Sequence, residues 1–428
     1  MPLWLIPMVY AAASIVCGFT LPRLEHAYWA SGTFGISVAS AQAFFSSVAT
    51  GMIALTGIVF SIGLVMVQFS AVAYSPRMGL LFARDPMMFH SLGVFIATFF
   101  YSLATLLWID REGTGIVPLW SGGVVVGLLV MSMIFFAQLV KRLSDVQITS
   151  VLHVIGNIGR KVIREMSERL DEKQDGDIKS ESGSDAVPAS DLAARTLKYF
   201  GQPRTIASFD IDRLVRLGQR AEGVIVLACA VGDTIFENTT LLRVHGAKYP
   251  PSERDLRRTI HLELGRTSEQ DPKYPIRLLV DIAIRALSPA INDPTTAVQA
   301  IDQIEDLLRR LGQRELGAGH ARDANGVLRL VFPMPTWDDY LTLAFDEIRQ
   351  YGGGSVQVMR RLRSALVGLA DSVGAEARVD TVRRYLTHLD VAIGQSSLDA
   401  DDQEMARAED RQGLGLSGRR VGGKNSPH

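Results

Sequence analysis

The chain has 428 residues, 47% of them hydrophobic, with 44 basic and 45 acidic side chains and a net charge of -1. That length allows two or three domains. A balanced charge without a lysine-rich block argues against a nucleic-acid partner. Two cysteines, Cys17 and Cys229, outside any CxxC or Cys/His cluster, argue against a disulfide framework and fit a reducing compartment.

The charges are segregated along the chain. Within residues 1–140 only Arg23, Glu25, Arg77, Arg84, Asp85, Asp110, Arg111 and Glu112 are charged. Residues 1–143 therefore read as an integral membrane α-helical bundle of about four spans. The remainder reads as a water-soluble α+β domain with a small β module and a helical C-terminal part.

Residues 2–22 are uncharged and apolar, without the basic n-region of a cleavable signal, and predict a retained first span. Residues 23–42 read as a loop or interfacial piece. From Phe44 to Ala73 no ionisable residue occurs. As a helix this stretch would be ~45 Å long, more than the ~30 Å hydrocarbon layer. Its Ser47, Gly51, Ala54, Ser61 and Gln68 recur at steps of three, four or seven, on one helix face. Such a face either packs against another helix of the chain or lines an oligomeric pore. Ser75-Pro76 then ends or kinks the helix, and Leu80, Leu81 and Phe82 suggest an amphipathic turn. Spans three and four run over 91–109 and about 118–140, with Trp108 and Trp120 as interfacial anchors.

Four spans put both ends of the bundle on one side. Arg77, Arg84, Lys141 and Arg142 lie on that side against Arg23 and Arg111 on the other, so the positive-inside rule makes the C-terminal domain cytoplasmic and the chain a multi-pass inner-membrane protein.

Residues 144–170 carry Val151, Ile155, Ile158, Val162 and Met166 at helical spacing and predict a helical stalk. Its Arg160, Lys161 and Arg164 suit anionic headgroups. Residues 171–191 are polar and read as a flexible linker. A small β-rich module follows over 192–250, with strands at TIASF, GVIVLACAV and TIFENTTLLRV and the helix IDRLVRLGQRA among them. Over 251–395 the chain reads as helical. IRLLVDIAIRAL (276–287) is apolar nearly all round, and SPAINDP makes a corner in which Asp293 caps, and Pro294 begins, a helix ending at Arg309-Arg310. Further helices are predicted over 337–351, 356–373 and 378–393, and residues 396–428 as a disordered tail.

Four phrases together resemble one family: GIVFSIGLVMVQFSAVAYSPR (57–77), LGVFIATFFYSL (92–103), VLACAVGD (226–233) and RTSEQDPKYPIRLLVDIAIRALSPAINDPTTA (266–297). The family is that of bacterial predicted membrane proteins carrying the domain of unknown function 2254. The resemblance implies four spans and an envelope location, and brings no activity with it. Ala290 departs from an expected SPGIND-type corner. Separately, VGDTIFENTTLLRV is similar to half of the barrel of lipoyl and biotinyl carrier domains, but no lysine occupies a hairpin tip, so no cofactor carriage is implied.

No GxxxxGK[ST], HExxH or GxSxG motif and no paired intramembrane aspartates occur. His153, His245, His261, His320 and His388 are far apart and lack ligand spacing. We therefore expect no enzyme, no metal and no cofactor. The densest polar group is Arg266, Glu269, Asp271, Asp281, Arg285, Ser288, Asn292 and Asp293, which forms either a small-ligand site or an interhelical ion network. Two functions are consistent with these residues. One is a homo-oligomeric channel or transport-related protein in the lipid bilayer, gated by its cytoplasmic domain. The other is a non-conducting membrane-anchored sensor or scaffold that binds a small ligand or protein partner.

Overall fold

The computed structural model describes residues 4–28, 37–73, 86–109, 117, 119–144, 148–171, 195–314, 316 and 319–415. Contacts divide the chain into two compact units, 1–147 and 148–428. Several expectations lie outside the described residues: the Ser75-Pro76 break, the turn at 80–82, Arg77, Arg84 and Arg111, the linker after Asp171, and the chain beyond 415.

Among its described residues the first unit contains four helices long and apolar enough to cross a membrane. They are α1 (Leu5–Tyr28), α2 (Val38–Ala73), α3 (Pro86–Leu106) and α4 (Leu119–Ser144). The third is central: 56% of its most apolar stretch is buried, against 17% in α1 and α4. Apolar surface gains nothing by leaving lipid, so close backbone approach must hold these helices together. Glycines provide it. A Cβ on Gly18 of α1 would lie 2.8 Å from Ala104 Cβ on α3, and one on Gly93 of α3 would lie 2.8 Å from the Tyr10 ring. The α2 helix turns Phe45, Val48, Met52 and Val59 inward. Met8, Val16, Val130 and Ile134 point outward, as side chains solvated by lipid do.

The second unit begins with α5 (Ile148–Asp171). The sequence reading makes 144–170 a helical stalk, and the structure packs this helix into the second unit, with Val151, Leu152, Ile155 and Ile163 buried. A Cβ on its Gly159 would meet Leu307 at 2.7 Å. Its Arg160 is held by Asp306 at 2.7 Å, and Lys161 faces Glu165, so both have carboxylate partners within the unit.

Among the described residues ten elements build the β part: β1 (Arg195–Lys198), β2 (Arg204–Phe209), α6 (Ile211–Ala221), β3 (Val224–Leu227), β4 (Thr234–Ile235), β5 (Thr240–His245), α7 (Glu253–Arg257), β6 (Ile260–Glu263) and the later pair β7 (Gly319–Arg322) and β8 (Leu328–Phe332), with two long helices set between β6 and β7. They form a five-stranded sheet, β1-β5-β3-β8-β7, and a three-stranded one, β4-β2-β6. The β module is thus not confined to 192–250, because its sheet is completed by strands some seventy residues further on. The strands of VGDTIFENTTLLRV fall in different sheets, β4 in one and β5 in the other, which is not a carrier-domain hairpin. All pairings are antiparallel except β3 with β8, where Ile225 faces Leu330 and Val226 faces Val331. Leu197, Ile206, Leu214, Ile225, Leu242 and Leu330 fill the core between sheets and α6.

The helical part comprises α8 (Lys273–Ala286), α9 (Pro294–Gly312), α10 (Trp337–Tyr351), α11 (Val356–Ser372) and α12 (Glu376–Gly394). Asp293 accepts a hydrogen bond from Thr296 N and Pro294 opens α9, as the sequence predicts. A capping box of Thr336 and Asp339 starts α10, and Ser355 caps α11 after Gly352, Gly353 and Gly354. Residues 396–415 are not a disordered tail. They include α13 (Ala400–Ala406) and then a strap in which Asp410, 5% exposed, accepts bonds from the backbone N–H groups of Gln412, Gly413 and Gly415. Arg360 of α11 donates to the Gly415 carbonyl at 2.9 Å. The tail's polar composition conceals this anchor, whose contacts are mainly to backbone.

Candidate functional site

Of the five residues on the α2 face, Ser47, Gly51, Ala54, Ser61 and Gln68, all are exposed. They do not pack against the other helices of their own unit. Ser61 Oγ is satisfied by the Gly57 carbonyl at 3.0 Å.

The polar constellation at 266–293 does not form one site. Asp281 belongs to an ion triad: Arg277 bonds it at 2.7 Å and reaches across to both oxygens of Glu347 on α10. These bonds hold the Glu347 carboxyl below the usual carboxylate range. Arg285, Ser288, Asn292 and Asp293 make the corner between α8 and α9. Ser288 Oγ donates to the Arg285 carbonyl at 2.7 Å, Asp293 N donates to the Ala286 carbonyl at 2.8 Å, and Asn292 takes the left-handed conformation at φ 48°. Asn tolerates that region well. Ala290 is not among the positive-φ residues, so the corner runs without a glycine there.

Glu269 and Asp271 fall elsewhere, at a cleft of about 90 Å³ lined by α5 (Val162, Glu165, Met166), the ends of β2 and β3 (Phe209, Leu227), Val231, residues 269–273, residues 332–335 and Tyr340, and Arg266 pairs with Asp271. Because β3 and β8 are parallel, both deliver their carboxyl ends to this cleft, where open α/β sheets bind ligands.

The loop before α8 is tied down in two ways. Gln270 acts as a strand substitute: its Oε1 accepts from Phe209 N at 3.0 Å and its Nε2 donates to Phe209 O at 3.1 Å. Asp271, 1% exposed, accepts from Lys273 N at 3.0 Å through Oδ1 and faces Arg266 Nε at 2.8 Å through Oδ2. The second contact is an ion pair without hydrogen-bond alignment, since both atoms lack a directed bond. Burial pushes the Asp271 carboxyl above its ordinary range, outweighing the pull of Arg266 and Lys273. Gly232, at φ +89°, lets the pair rest on its turn, since a Cβ there would come within 2.6 Å of Asp271 Oδ2.

Tyr340, in the first turn of α10, lines the cleft and is 0% exposed. Its Oη has no hydrogen-bond partner among the described residues. Burial, with Asp271 and Asp339 nearby, pushes the phenol well above its ordinary pKa and keeps it a neutral donor. A buried hydroxyl without a partner is unusual. The sequence reading passes over Tyr340 as one apolar position of an amphipathic helix, yet a tyrosine on such a face always raises the question of where its hydroxyl goes. Among the described residues no group of three or more His, Cys, Asp and Glu side chains is arranged to hold a metal ion.

The cleft is thus a small, mostly apolar space whose lining includes Glu165, Glu269, Asp271, Lys273 and Tyr340. It can accept a compact apolar body with a hydrogen-bonding end, and it holds no nucleophile with an adjacent base.

Comparison with known proteins agrees with the helical first unit. The profile of the family described as "Predicted membrane protein (DUF2254)" matches residues 1–367. An uncharacterized protein of Mycobacterium bovis and one of Mycobacterium tuberculosis are each 27% identical over 379 residues, covering 85% of this chain and 68% of their own. No solved structure matches the chain. The match spans both the membrane-type helices and most of the second unit, and on it the chain belongs to the DUF2254 family of predicted membrane proteins.

Proposed function

We propose that this membrane protein is a ligand-responsive anchor of the bacterial inner membrane, with its soluble unit on the cytoplasmic side and a small molecule bound in the cleft beside Asp271. In this reading it is a binding protein and not an enzyme. One observation carries it: a mostly apolar cleft at the carboxyl ends of β3 and β8, lined by Tyr340, whose buried Oη has no hydrogen-bond partner among the described residues. A cleft of about 90 Å³ has room for a short organic molecule. Its polar end would accept from Tyr340 and meet Asp271. The excess of Arg77, Arg84, Lys141 and Arg142 over Arg23 and Arg111 supports the cytoplasmic placement.

The test is thermal unfolding of the full-length protein in detergent with butanamide, butanoic acid and 1-butanol. A saturable rise in midpoint that Tyr340→Phe weakens supports the reading. No shift with any of the three counts against it.

A second reading, a homo-oligomeric channel or transport-related protein, is favoured by the outward exposure of Ser47, Gly51, Ala54, Ser61 and Gln68. Small residues on a lipid-facing helix permit close packing with a second copy. Native mass spectrometry of the detergent-solubilised protein reads the stoichiometry, and liposome flux sensitive to Gln68→Leu reads conduction. A monomer without flux removes this reading.

A further inference from the structure

Within the second unit α9 and α11 border a polar space of about 370 Å³ that shares no lining residue with the Tyr340 cleft. Its α11 wall is Arg361, Ser364, Gly368 and Asp371, which recur at steps of three and four and so share one face of the helix. Glu305 and Arg309, one turn apart, line it from α9, and the strap beyond α13 adds Arg411. Asp410 fixes the strap's backbone at that point by collecting the N–H groups of Gln412, Gly413 and Gly415. Gly368 lets the α9 pair come close, since a Cβ there would collide with Arg309 Nη2 and lie 2.9 Å from Glu305 Oε1.

The ion pairs of this wall occupy the Glu305 carboxylate fully and the guanidinium groups only in part. Arg361, 8% exposed at its side chain, gives Nε to Asp302 at 2.7 Å and Nη2 to Glu305 at 2.6 Å. Arg309 gives Nε and Nη2 to the other oxygen of Glu305. Each keeps an Nη1 group with no partner among the described residues. Helical serines and threonines commonly bond the carbonyl one turn back, as Thr381 and Thr387 of α12 do. Ser364, 5% exposed, makes no such bond among the described residues. Arg411 and Asp371 are opposite in sign and line the same space, yet they do not pair with each other or with another described residue. A network that served only to join α9 to α11 would be complete without Ser364 and Arg411.

We propose that this space binds the phosphate group of a phosphate monoester. The open donors come from three elements: Arg309 on α9, Arg361 and Ser364 on α11, and Arg411 on the strap. A tetrahedral oxyanion can meet donors from three directions with three oxygens, whereas a planar carboxylate offers two. The fixed fork of an arginine matches phosphate geometry. The volume leaves room for the esterified body beside the phosphate. Asp371, on the same wall, opposes the anion and limits its affinity. The proposed readings of the Tyr340 cleft and of the α2 face do not depend on this site.

The experiment measures thermal unfolding midpoints of the full-length protein in detergent at constant ionic strength, with sodium chloride exchanged for inorganic phosphate, glycerol 3-phosphate or acetate. Both phosphate probes should raise the midpoint saturably, and acetate should raise it less. Arg411→Gln changes an exposed side chain and Ser364→Ala a small one, so both variants should fold. Each should weaken the apparent affinity for phosphate about five-fold. Asp371→Asn should strengthen it, by up to about five-fold. Dioctanoyl phosphatidic acid carries the same group on a lipid body. Tighter binding of it than of glycerol 3-phosphate supports the site with a lipid source, and the reverse order supports it with a free one. Equal midpoints in every salt would overturn the proposal. So would a phosphate response that is undiminished in Arg411→Gln and Ser364→Ala, which is the general effect of an ion excluded from the protein surface.

Discussion

Replacing Tyr340 by phenylalanine removes one oxygen and leaves the ring in its place. That ring is fully buried in the first turn of α10, against the cleft. A buried polar group without a partner costs ~1–3 kcal/mol, because the water it gave up on folding is not replaced. Taking the hydroxyl away should therefore stabilise the ligand-free protein by about 1 kcal/mol. For a unit of this size that is a rise of ~2–4 °C in midpoint. Trp337, one turn earlier and 6% exposed, becomes a local fluorescence reporter of the melt once the other four tryptophans are replaced by phenylalanine in both proteins. In the presence of a saturating cleft ligand this advantage should vanish, since the wild type then gains a hydrogen bond worth ~1 kcal/mol, about five-fold in affinity, that the variant cannot make. A drop in midpoint of more than about 1 kcal/mol in the ligand-free variant would refute the reasoning. It would mean that Oη is already bonded, through a buried water or a neighbour, and is not waiting for a ligand.

Asp271 gives a pH signature. Its native pKa lies above its unfolded one, so the folded state holds the proton more tightly; stability is greatest below the ordinary carboxylate range and falls as pH rises through the raised value. Urea unfolding across that window should show this slope, and Asp271→Asn should flatten it. Gly232→Ala must place a methyl against Arg266 and Asp271 at a φ of +89°, and should cost ~1–3 kcal/mol, read as a lower urea midpoint. Arg361, 8% exposed at its side chain, holds Asp302 at 2.7 Å and Glu305 at 2.6 Å. Arg361→Ala should cost about 3 kcal/mol, while Arg361→Met, which keeps apolar volume and leaves Glu305 to Arg309, should cost less in the same assay.

Much of the architecture is written in local pattern. Four charge-poor stretches become the four long apolar helices, and IDRLVRLGQRA becomes α6 residue for residue, because apolar periodicity and caps act over a few residues. The Asp293-Pro294 start of α9 is legible for the same reason. The closure of the five-stranded sheet by β7 and β8 is not, since pairing between Ile225 and Leu330 leaves no mark in either strand alone. The strap around Asp410 escapes reading too: one carboxylate collecting three backbone N–H groups looks, in sequence, like any polar tail. The sequence groups Asp271 and Arg266, which pair, with Asp281, bonded to Arg277 on its own helix, and with Asp293, which caps α9. Charge alone does not say which carboxylate faces a cavity.

The cleft is tested most directly by fluorine NMR of the full-length protein in detergent with 3-fluorotyrosine in place of Tyr340, titrated with butanamide. The account predicts a resonance that moves to a saturating position and is unmoved by a probe lacking the polar end, such as butane. A resonance that stays fixed throughout the titration would contradict it.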